Sequence, residues 1–286
     1  MKLLLAAMAF AFSPIGWAAT PVDYIRANAI EFTEELPQAL YANLATKDLV
    51  IIGEMHGTQE QPKRTFQIIN ELAKAQPLLV GLEFPINTQP ELDRYFATGD
   101  ENILRGIYFF QEPRYHSGRG SLAMIELMRN LRAFKNVKVF AFDVPDDFRG
   151  NDRDTQMAKN VLNIIAQNGN QKMLVYTGNI HSSLVIGHAW DARAITMGSE
   201  VLRLSEGKFT LQNTGNMQYR FVGGTAWYCM REASGAVTCD ARPFGPVRSQ
   251  YSTAVPFATY YLNEPELTEG HYNTVFIREL SASMPF

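Results

Sequence analysis

The amino-acid sequence predicts an α/β protein with a mostly parallel central sheet flanked by helices and a β-rich C-terminal completion. Three observations lead to this fold class. Short, fully apolar runs alternate with longer segments of helical periodicity through the middle of the chain, which is typical of parallel sheets covered on both faces. After residue 201 the segments become shorter, strand-like and separated by turns. The 286 residues, 46% of them hydrophobic, suffice for one large domain with a sizeable core.

Four apolar runs are predicted to be buried strands because they are short and bounded by turn or polar residues. They are residues 49–52, 78–82, 137–142 and 172–177. Helices are predicted between the strands, where apolar residues recur every three to four positions. They are residues 60–75, residues 121–134 and a helix that Asp152 caps at its N-terminus. Residues 272–277 are the last predicted strand.

The first residues have the composition of a secretory signal peptide. Lys2 precedes an apolar run over residues 3–12, and the small residues Gly16 and Ala18 fit a cleavage site. The run is too short for a membrane-spanning helix, which takes about 20 apolar residues, and the alternative is a buried core helix. We therefore expect a signal peptide over residues 1–18, a single α/β domain over residues 19–286, no integral membrane segment after cleavage, and a periplasmic or secreted protein.

Charge and cysteine content exclude several classes of protein. Lys+Arg 26 against Asp+Glu 29 gives a net charge of −3, which argues against a strongly basic nucleic-acid binder. Cys229 and Cys239 flank a turn signal, so in an oxidising compartment they can form a disulfide across a hairpin, although two free buried thiols are the alternative. The sequence contains no Gly-x-Ser-x-Gly elbow, phosphate-binding loop or dinucleotide fingerprint.

Each of the four predicted strands is followed by an acidic side chain, an imidazole or both. Glu54 and His56 follow the first strand, Glu83 the second, Asp143 the third and His181 the fourth. Because the carboxyl ends of parallel strands lie at one edge, where open α/β sheets bind ligands, these side chains are expected to meet. Each residue alone is equally explained as a cap, turn or loop residue. Their coincidence at four strand ends favours a functional cluster.

Such a cluster supports two kinds of chemistry. A histidine held by a carboxylate is a competent general base, and imidazoles with carboxylates also bind zinc, manganese or iron. The candidate catalytic residues are His56, Glu54, Glu83, His181 and Arg153, and the candidate metal ligands are Glu54, His56, Glu83 and His181. Arg153 is included because the helix dipole disfavours a cation in the first turn, which suggests pairing with an anion.

Four further residues are candidates for binding a substrate or ligand. They are Asp143, Tyr115, His116 and His188. Tyr115 and His116 lie in a polar, glycine-bearing loop that either forms a cleft wall or is an ordinary connection. His188 is expected at the mouth of the same cleft, and His271 is expected at the surface.

Four motifs, in this order, resemble a superfamily that contains the erythromycin esterase-like proteins, the ChaN-like haem-binding uptake proteins and, more distantly, the Tiki/TraB group. They are Gly53-Glu54-Met55-His56, Glu83, Arg153-Asp154-x-x-Met157-Ala158 and Gly178-Asn179-Ile180-His181. Met197-Gly198 with Leu202 is similar to the segment that follows in the family. The resemblance covers roughly residues 48–204.

The resemblance implies a different activity for each branch. The esterase branch hydrolyses a macrolide lactone with its first histidine as base, the ChaN-like branch binds haem, and the Tiki-like branch is linked to metal-dependent peptide cleavage. This chain departs from them, since no cysteine follows the predicted cleavage site and Gly-Glu-Met-His is one residue tighter than the esterase spacing. Macrolide specificity is therefore not carried over.

We expect an exported hydrolase that cleaves an ester, lactone or amide, with His56 as general base. The alternative is a periplasmic haem- or metal-binding protein in which Tyr115, His116 or His188 supplies an axial contact. The expected partner is accordingly a small-molecule substrate or haem. The sequence leaves the cofactor unassigned, with a divalent metal and haem as the candidates.

Overall fold

The structure of the protein is a computed structural model that describes residues 20–111, 118–188, 190–255 and 257–286. The predicted signal peptide over residues 1–18 lies outside the described residues, as do Tyr115 and His116. The single domain over residues 19–286 stays a prediction. None of the described helices combines the length and the apolar character needed to cross a membrane.

The helices and strands of the described residues follow one another along the chain with short connections. The helices are α1 (Pro21–Asn28), α2 (Gln38–Ala45), α3 (Glu60–Ala75), α4 (Gln89–Thr98), α5 (Glu101–Arg105), α6 (Tyr108–Gln111), α7 (Leu122–Leu131), α8 (Arg153–Gln167), α9 (Met197–Leu204) and α10 (Gln250–Ala254). The strands are β1 (Ile30–Glu31), β2 (Leu49–Glu54), β3 (Leu78–Pro85), β4 (Val137–Asp143), β5 (Met173–Gly178), β6 (Thr214–Arg220), β7 (Gly223–Arg231), β8 (Val237–Phe244), β9 (Thr259–Thr268), β10 (His271–Ile277) and β11 (Glu279–Leu280).

The larger sheet has eight strands among the described residues, in the order β1-β9-β10-β6-β2-β5-β3-β4. Every neighbouring pair from β10 to β4 is parallel. Strands β9 and β1, at the other edge, are antiparallel to their neighbours. The predicted fold class, an α/β protein with a mostly parallel sheet and a β-rich C-terminal part, is confirmed.

Both faces of the sheet are covered, because successive side chains of a strand point to opposite faces. Val50 and Ile52 of β2 pack into a core that includes side chains of α2, α3 and α7. Leu49 and Ile51 pack into a second core with α8 and α9. This two-sided burial explains why the central strands are continuous apolar runs.

A smaller sheet has the order β11-β7-β8. Strands β7 and β8 form an antiparallel hairpin in which Cys229 and Cys239 face each other and form a disulfide. The disulfide predicted from the sequence is therefore present.

Helix starts agree with the sequence in two of three cases. Helix α3 has the predicted bounds, and Ser121 caps α7 by accepting from the backbone N–H of Met124. Asp152 stands at the N-cap position of α8, but its side chain makes no capping hydrogen bond. Its backbone, at φ −115 and ψ 37, lacks the extended conformation in which a cap side chain reaches the first turn. The capping role predicted for Asp152 was wrong.

Candidate functional site

The order of the strands brings the predicted residues to one edge of the sheet. Strands β2, β5, β3 and β4 are consecutive and parallel, and Glu54, Gly178 and Asp143 are the last residues of β2, β5 and β4. Glu83 lies two residues before the end of β3. Together with the loop and helix residues that contact them, these carboxylates form what we call the carboxyl-edge cluster. Its members are Glu54, His56, Glu83, Arg119, Asp143, Arg153 and His181.

His56 lies between two buried carboxylates. Its Nδ1 is 2.6 Å from Oε1 of Glu54, and its Nε2 is 3.5 Å from Oε2 of Glu83. The second oxygen of Glu54 accepts a hydrogen bond from the Tyr176 hydroxyl. Burial lowers the pKa of His56, but the charges of Glu83 and Glu54 outweigh burial and raise this pKa to about 9. At neutral pH the imidazole of His56 is therefore protonated.

Four donors hold the carboxylate of Glu83. Its Oε2 accepts from Thr177 Oγ1 at 2.6 Å and from the backbone N–H of the next residue at 2.7 Å. Its Oε1 accepts from Arg153 at 2.7 Å and from Arg119 at 3.3 Å. Burial alone would raise the pKa of Glu83, but the charge of His56 and the other cations around it hold this pKa well below its usual range. Glu83 is therefore ionised and fixed in position.

Arg153, the first residue of α8, joins three members of the cluster. Its Nε and Nη2 donate to the two oxygens of Asp143 at 2.9 and 2.8 Å, and Nη2 also donates to Glu83. Arg119 donates to Asp143 at 2.5 Å. Although burial lowers the pKa of Arg153, Asp143 and Glu83 raise it further, so the guanidinium stays charged. These carboxylates offset the unfavourable place of a cation at a helix start.

The hydrogen bonds of His181 fix its protonation. Its Nε2 lies 2.8 Å from Arg153 Nη1, and a guanidinium only donates, so this nitrogen is the acceptor and carries no proton. Its Nδ1 lies 2.7 Å from Asp154 Oδ1 and is the donor to that carboxylate. Asp154 also accepts from the backbone N–H of Met197 at 2.7 Å. His181 is therefore a neutral imidazole with its proton on Nδ1.

Gly178 separates the two histidines of the cluster. A Cβ atom added at this position would lie 3.2 Å from His56 Nε2 and 3.5 Å from His181 Cδ2. A side chain here would therefore fill the space between the imidazoles. The close approach of the two rings explains why β5 ends on glycine.

The loop that carries His56 is anchored by distant parts of the chain. The carbonyl oxygen of Gly57 accepts from the backbone N–H groups of Trp227 at 3.0 Å and Ser283 at 2.8 Å. The backbone N–H of Met55 donates to Gln61 Oε1 at 2.7 Å. The disulfide-bonded hairpin and the C-terminal segment thus help to position the candidate base.

A cavity of about 680 Å³ opens beside the cluster. Asn179 and Ile180, which precede His181, form part of its wall, and His188 and Trp190 form another part with ring centroids 4.3 Å apart. Nδ1 of His188 is buried and has no hydrogen-bond partner. The structure therefore places His188 in a cavity next to the cluster.

His271 also borders this cavity, and its expected surface position was wrong. Only 3% of the residue is exposed. Its Nδ1 donates to the carbonyl oxygen of Glu269 at 3.0 Å, and its Nε2 lies 2.8 Å from the Ser182 hydroxyl. Because His271 begins β10 next to the buried β6, the sheet covers it.

The four candidate metal ligands do not form a metal site. Within the described ranges, no three His, Cys, Asp or Glu side chains are grouped so that they could hold a metal ion. The oxygens of Glu83 are occupied by four donors, Glu54 is bonded to His56 and Tyr176, and Nε2 of His181 faces a guanidinium. Cationic partners thus take the places that a metal would need. The metal set predicted from Glu54, His56, Glu83 and His181 is not supported.

Three residues of the site were missed by the sequence reasoning. Arg119 lies in a glycine-flanked loop whose contact with β3 and β4 no local pattern reveals. Tyr176 belongs to an apolar run that reads only as a strand. Asp154 had a signal, since it is the second residue of the Arg-Asp-x-x-Met-Ala motif.

Comparisons with known proteins agree with the predicted superfamily. Residues 40–117 match the family described as haem-binding uptake, Tiki superfamily, ChaN. A variant of the erythromycin esterase EreC, solved in its open conformation, is 12% identical over 86% of this chain and 94% of its own, with a TM-score of 0.67. A succinoglycan biosynthesis protein (12% identity, 93% of this chain and 98% of its own, TM-score 0.65) and a Bacillus cereus protein (13%, 93% and 98%, TM-score 0.63) share the fold as well.

No protein of curated function matches the chain in sequence. At these identities the solved structures establish the common fold alone. The family match adds the first part of the sheet and the motif that carries Glu54, His56 and Glu83. The resemblance of this chain to the superfamily of erythromycin esterase-like and ChaN-like proteins, predicted from its motifs, is thus confirmed.

Proposed function

We propose that this protein is an exported hydrolase that cleaves an ester, lactone or amide with His56 as general base. The asymmetry of the two ring nitrogens of His56 carries this proposal. Nδ1 is bound tightly to Glu54 at 2.6 Å, whereas Nε2 is 3.5 Å from Glu83, beyond a good hydrogen bond. A carboxylate that fixes one nitrogen and leaves the other available to water is the arrangement that general-base histidines use.

The reaction follows from this geometry. Unprotonated Nε2 of His56 takes a proton from water, and the resulting hydroxide adds to the carbonyl carbon of the substrate. The imidazolium then returns the proton to the leaving oxygen or nitrogen as the bond to carbon breaks. Glu54 and Glu83 stabilise the imidazolium, and the guanidinium of Arg153 supplies positive charge near the developing oxyanion.

The role of His181 differs from the sequence-based hypothesis. Its one proton is donated to Asp154, and its other nitrogen accepts from Arg153. Neither nitrogen therefore offers a proton to an oxyanion or a leaving group. We assign His181 to positioning Arg153.

A pH–rate profile tests the proposal. Because carboxylates raise the pKa of His56 to about 9, the base form of the free enzyme becomes more abundant up to this pH. For hydrolysis of phenyl acetate, kcat/KM should rise about tenfold per pH unit and level off near pH 9, after subtraction of the uncatalysed rate. His56→Ala should lose a factor of about 10² to 10⁴. Full activity of this variant, or a flat profile from pH 6 to pH 10, would overturn the assignment.

Export is part of the same proposal. The signal-peptide composition of residues 1–18 supports it, and so does the disulfide between Cys229 and Cys239, since such bonds persist in oxidising compartments. Cell fractionation with N-terminal sequencing of the mature protein is the test. A chain found in the cytosol with Met1 intact would contradict export.

Haem binding is the second candidate, and His188 favours it. Its Nδ1 is shielded and has no hydrogen-bond partner, and its ring contacts Trp190 beside a cavity of a size typical for small-molecule ligands. The description of the matched family points to the same ligand. His188 would then hold the haem iron through a ring nitrogen. A Soret shift on adding haem that is lost in His188→Ala would support this function, and no shift would exclude it.

A further inference from the structure

We infer that the cavity beside the carboxyl-edge cluster holds the body of the substrate and selects molecules that carry a carboxylate at the end of an apolar segment. This inference rests on the proposed hydrolase. It assigns the substrate class and names Arg220 as the residue that recognises the carboxylate.

The walls of the cavity expose unusually large apolar side chains. Ile180 is 40% exposed, Ile186 is 62% exposed and Trp190 is 72% exposed, and all three line the same cavity. Single exposed apolar residues are common, but a concave group of them marks a site for an apolar ligand. The cavity therefore offers contact area to a hydrocarbon chain or a ring.

The cavity is joined to the candidate base by one short loop. Asn179 and Ile180 line the cavity, and His181, the next residue, belongs to the carboxyl-edge cluster. The backbone N–H of Asn179 donates to the carbonyl oxygen of Glu54 at 2.9 Å, which holds this loop against the end of β2. A molecule seated in the cavity thus has one end near the cluster.

Arg220, at the end of β6, supplies a cation to the cavity. Its guanidinium lies over the ring of Tyr251 and forms an ion pair with Glu269, while its Nε has no hydrogen-bond partner. The side chain of Glu269 is 60% exposed. Ion pairs with exposed partners contribute only about 0–1 kcal/mol. A ligand carboxylate can therefore replace Glu269 with little loss.

The other polar groups near Arg220 do not compete for it. The buried carboxylate of Glu264 accepts hydrogen bonds from Tyr251 at 3.0 Å and from Thr274 at 2.7 Å. His271, on the cavity wall, is engaged by the Glu269 carbonyl and by Ser182. Arg220 thus remains the group in this wall that can exchange its partner for an anion.

Two matched esters test the inference, namely monomethyl octanedioate, which has a free carboxylate, and methyl octanoate, which has none. In the wild-type protein kcat/KM should be at least about tenfold higher for the carboxylate ester. Arg220→Met should bring the ratio of the two values close to one. Glu269→Gln should increase the ratio, because the competing carboxylate is gone. Arg203→Met, an exposed arginine on α9 that also pairs with a glutamate, is the control and should keep the wild-type ratio.

Calorimetry on His56→Ala separates this inference from the proposed hydrolysis. Binding of monomethyl octanedioate that Arg220→Met weakens at least tenfold, with no turnover by the wild type, would retain the cavity and refute the hydrolase. Equal hydrolysis of both esters by all variants would retain the hydrolase and refute the role of Arg220. Equal binding of both esters, or binding of neither, would also overturn the inference.

Discussion

Two histidines of this protein, His56 and His271, are enclosed by the fold in opposite surroundings. Carboxylates flank both ring nitrogens of His56, and although burial lowers its pKa, they raise this pKa to about 9. His271 instead meets a backbone carbonyl and a hydroxyl. Burial, with a smaller effect of Arg220, lowers the pKa of His271 to about 3. The first imidazole is charged at neutral pH and the second is neutral.

The difference teaches that burial alone does not identify a functional histidine in this fold. Around His56 the carboxylates of Glu54, Glu83 and Asp143 balance Arg119, Arg153 and the imidazolium itself. Burying so many charges costs desolvation energy and contributes weakly to stability. Such clusters are typical of sites where protonation is used. The neutral surroundings of His271 are those of a structural side chain.

The largest effect is expected from Glu83→Gln, which weakens the charge asymmetry between the two histidines. Glu83 exerts the strongest attraction on protonated His56, so the pKa of His56 should fall. Activity should drop by about 10³, within the range typical for acid–base residues. Stability should fall by about 3–5 kcal/mol, because the paired arginines lose a buried partner.

NMR titration of the histidine rings and hydrolysis rates of the same variant provide the measurements. Glu101→Gln is a matched control, since Glu101 is a glutamate that pairs with Arg129 outside the cluster. An unchanged titration of His56 in Glu83→Gln would show that the carboxylate does not govern its protonation.

The sequence predicts the part of the site that depends on strand ends. Glu54, Glu83 and Asp143 follow or close apolar runs, and parallel strands necessarily bring such ends to one edge. The bounds of α3 were also predictable, because 16 residues of helical periodicity are a strong local signal.

Long-range partners are the part that the sequence does not reveal. Arg119 reaches Asp143 across 24 residues from a loop, and Tyr176 reaches Glu54 across 122 residues. Both contacts depend on the spatial order β2-β5-β3-β4, which differs from the order along the chain. Periodicity within a segment carries no information on that order. His271 was misplaced for the same reason, since only the pairing of β10 with β6 buries it.

The second prediction concerns the neutral member of the pair. The folded pKa of His271 is about 3, below the unfolded value of about 6.5, so the unfolded state binds one more proton between these pH values. This contribution to stability is present above pH 6.5 and is lost as the pH falls through 3. It amounts to about 5 kcal/mol over the whole window. Urea unfolding between pH 7 and pH 4 should show a weaker loss in His271→Asn than in the wild type, and parallel curves would contradict it.

His56 should give the opposite slope in alkaline solution. Its folded pKa of about 9 exceeds the unfolded value of about 6.5, so the folded state binds the extra proton. The stabilisation is complete below pH 6.5 and disappears as the pH rises through 9, a change of about 3 kcal/mol. Urea unfolding of the wild type and His56→Gln from pH 6 to pH 9.5 measures the difference. Equal alkaline slopes would indicate that His56 is neutral in the folded state.

The smallest effect is expected at the third histidine, His181, whose protonation depends on a hydrogen bond rather than on a large shift. Asp154 Oδ1 accepts from both His181 and the backbone N–H of Met197, and the amide oxygen of Asp154→Asn can do the same. This variant should lose less than about tenfold in kcat and keep the proton on Nδ1, whereas Asp154→Ala, which lacks an acceptor, should lose more. Nitrogen chemical shifts of the ring report the tautomer. Because the pH–rate profile belongs to His56, its midpoint near 9 should not move in either variant. A shifted midpoint would mean that His181, and not His56, is the base, and the contrast between the charged and neutral imidazoles would then have to be reassigned.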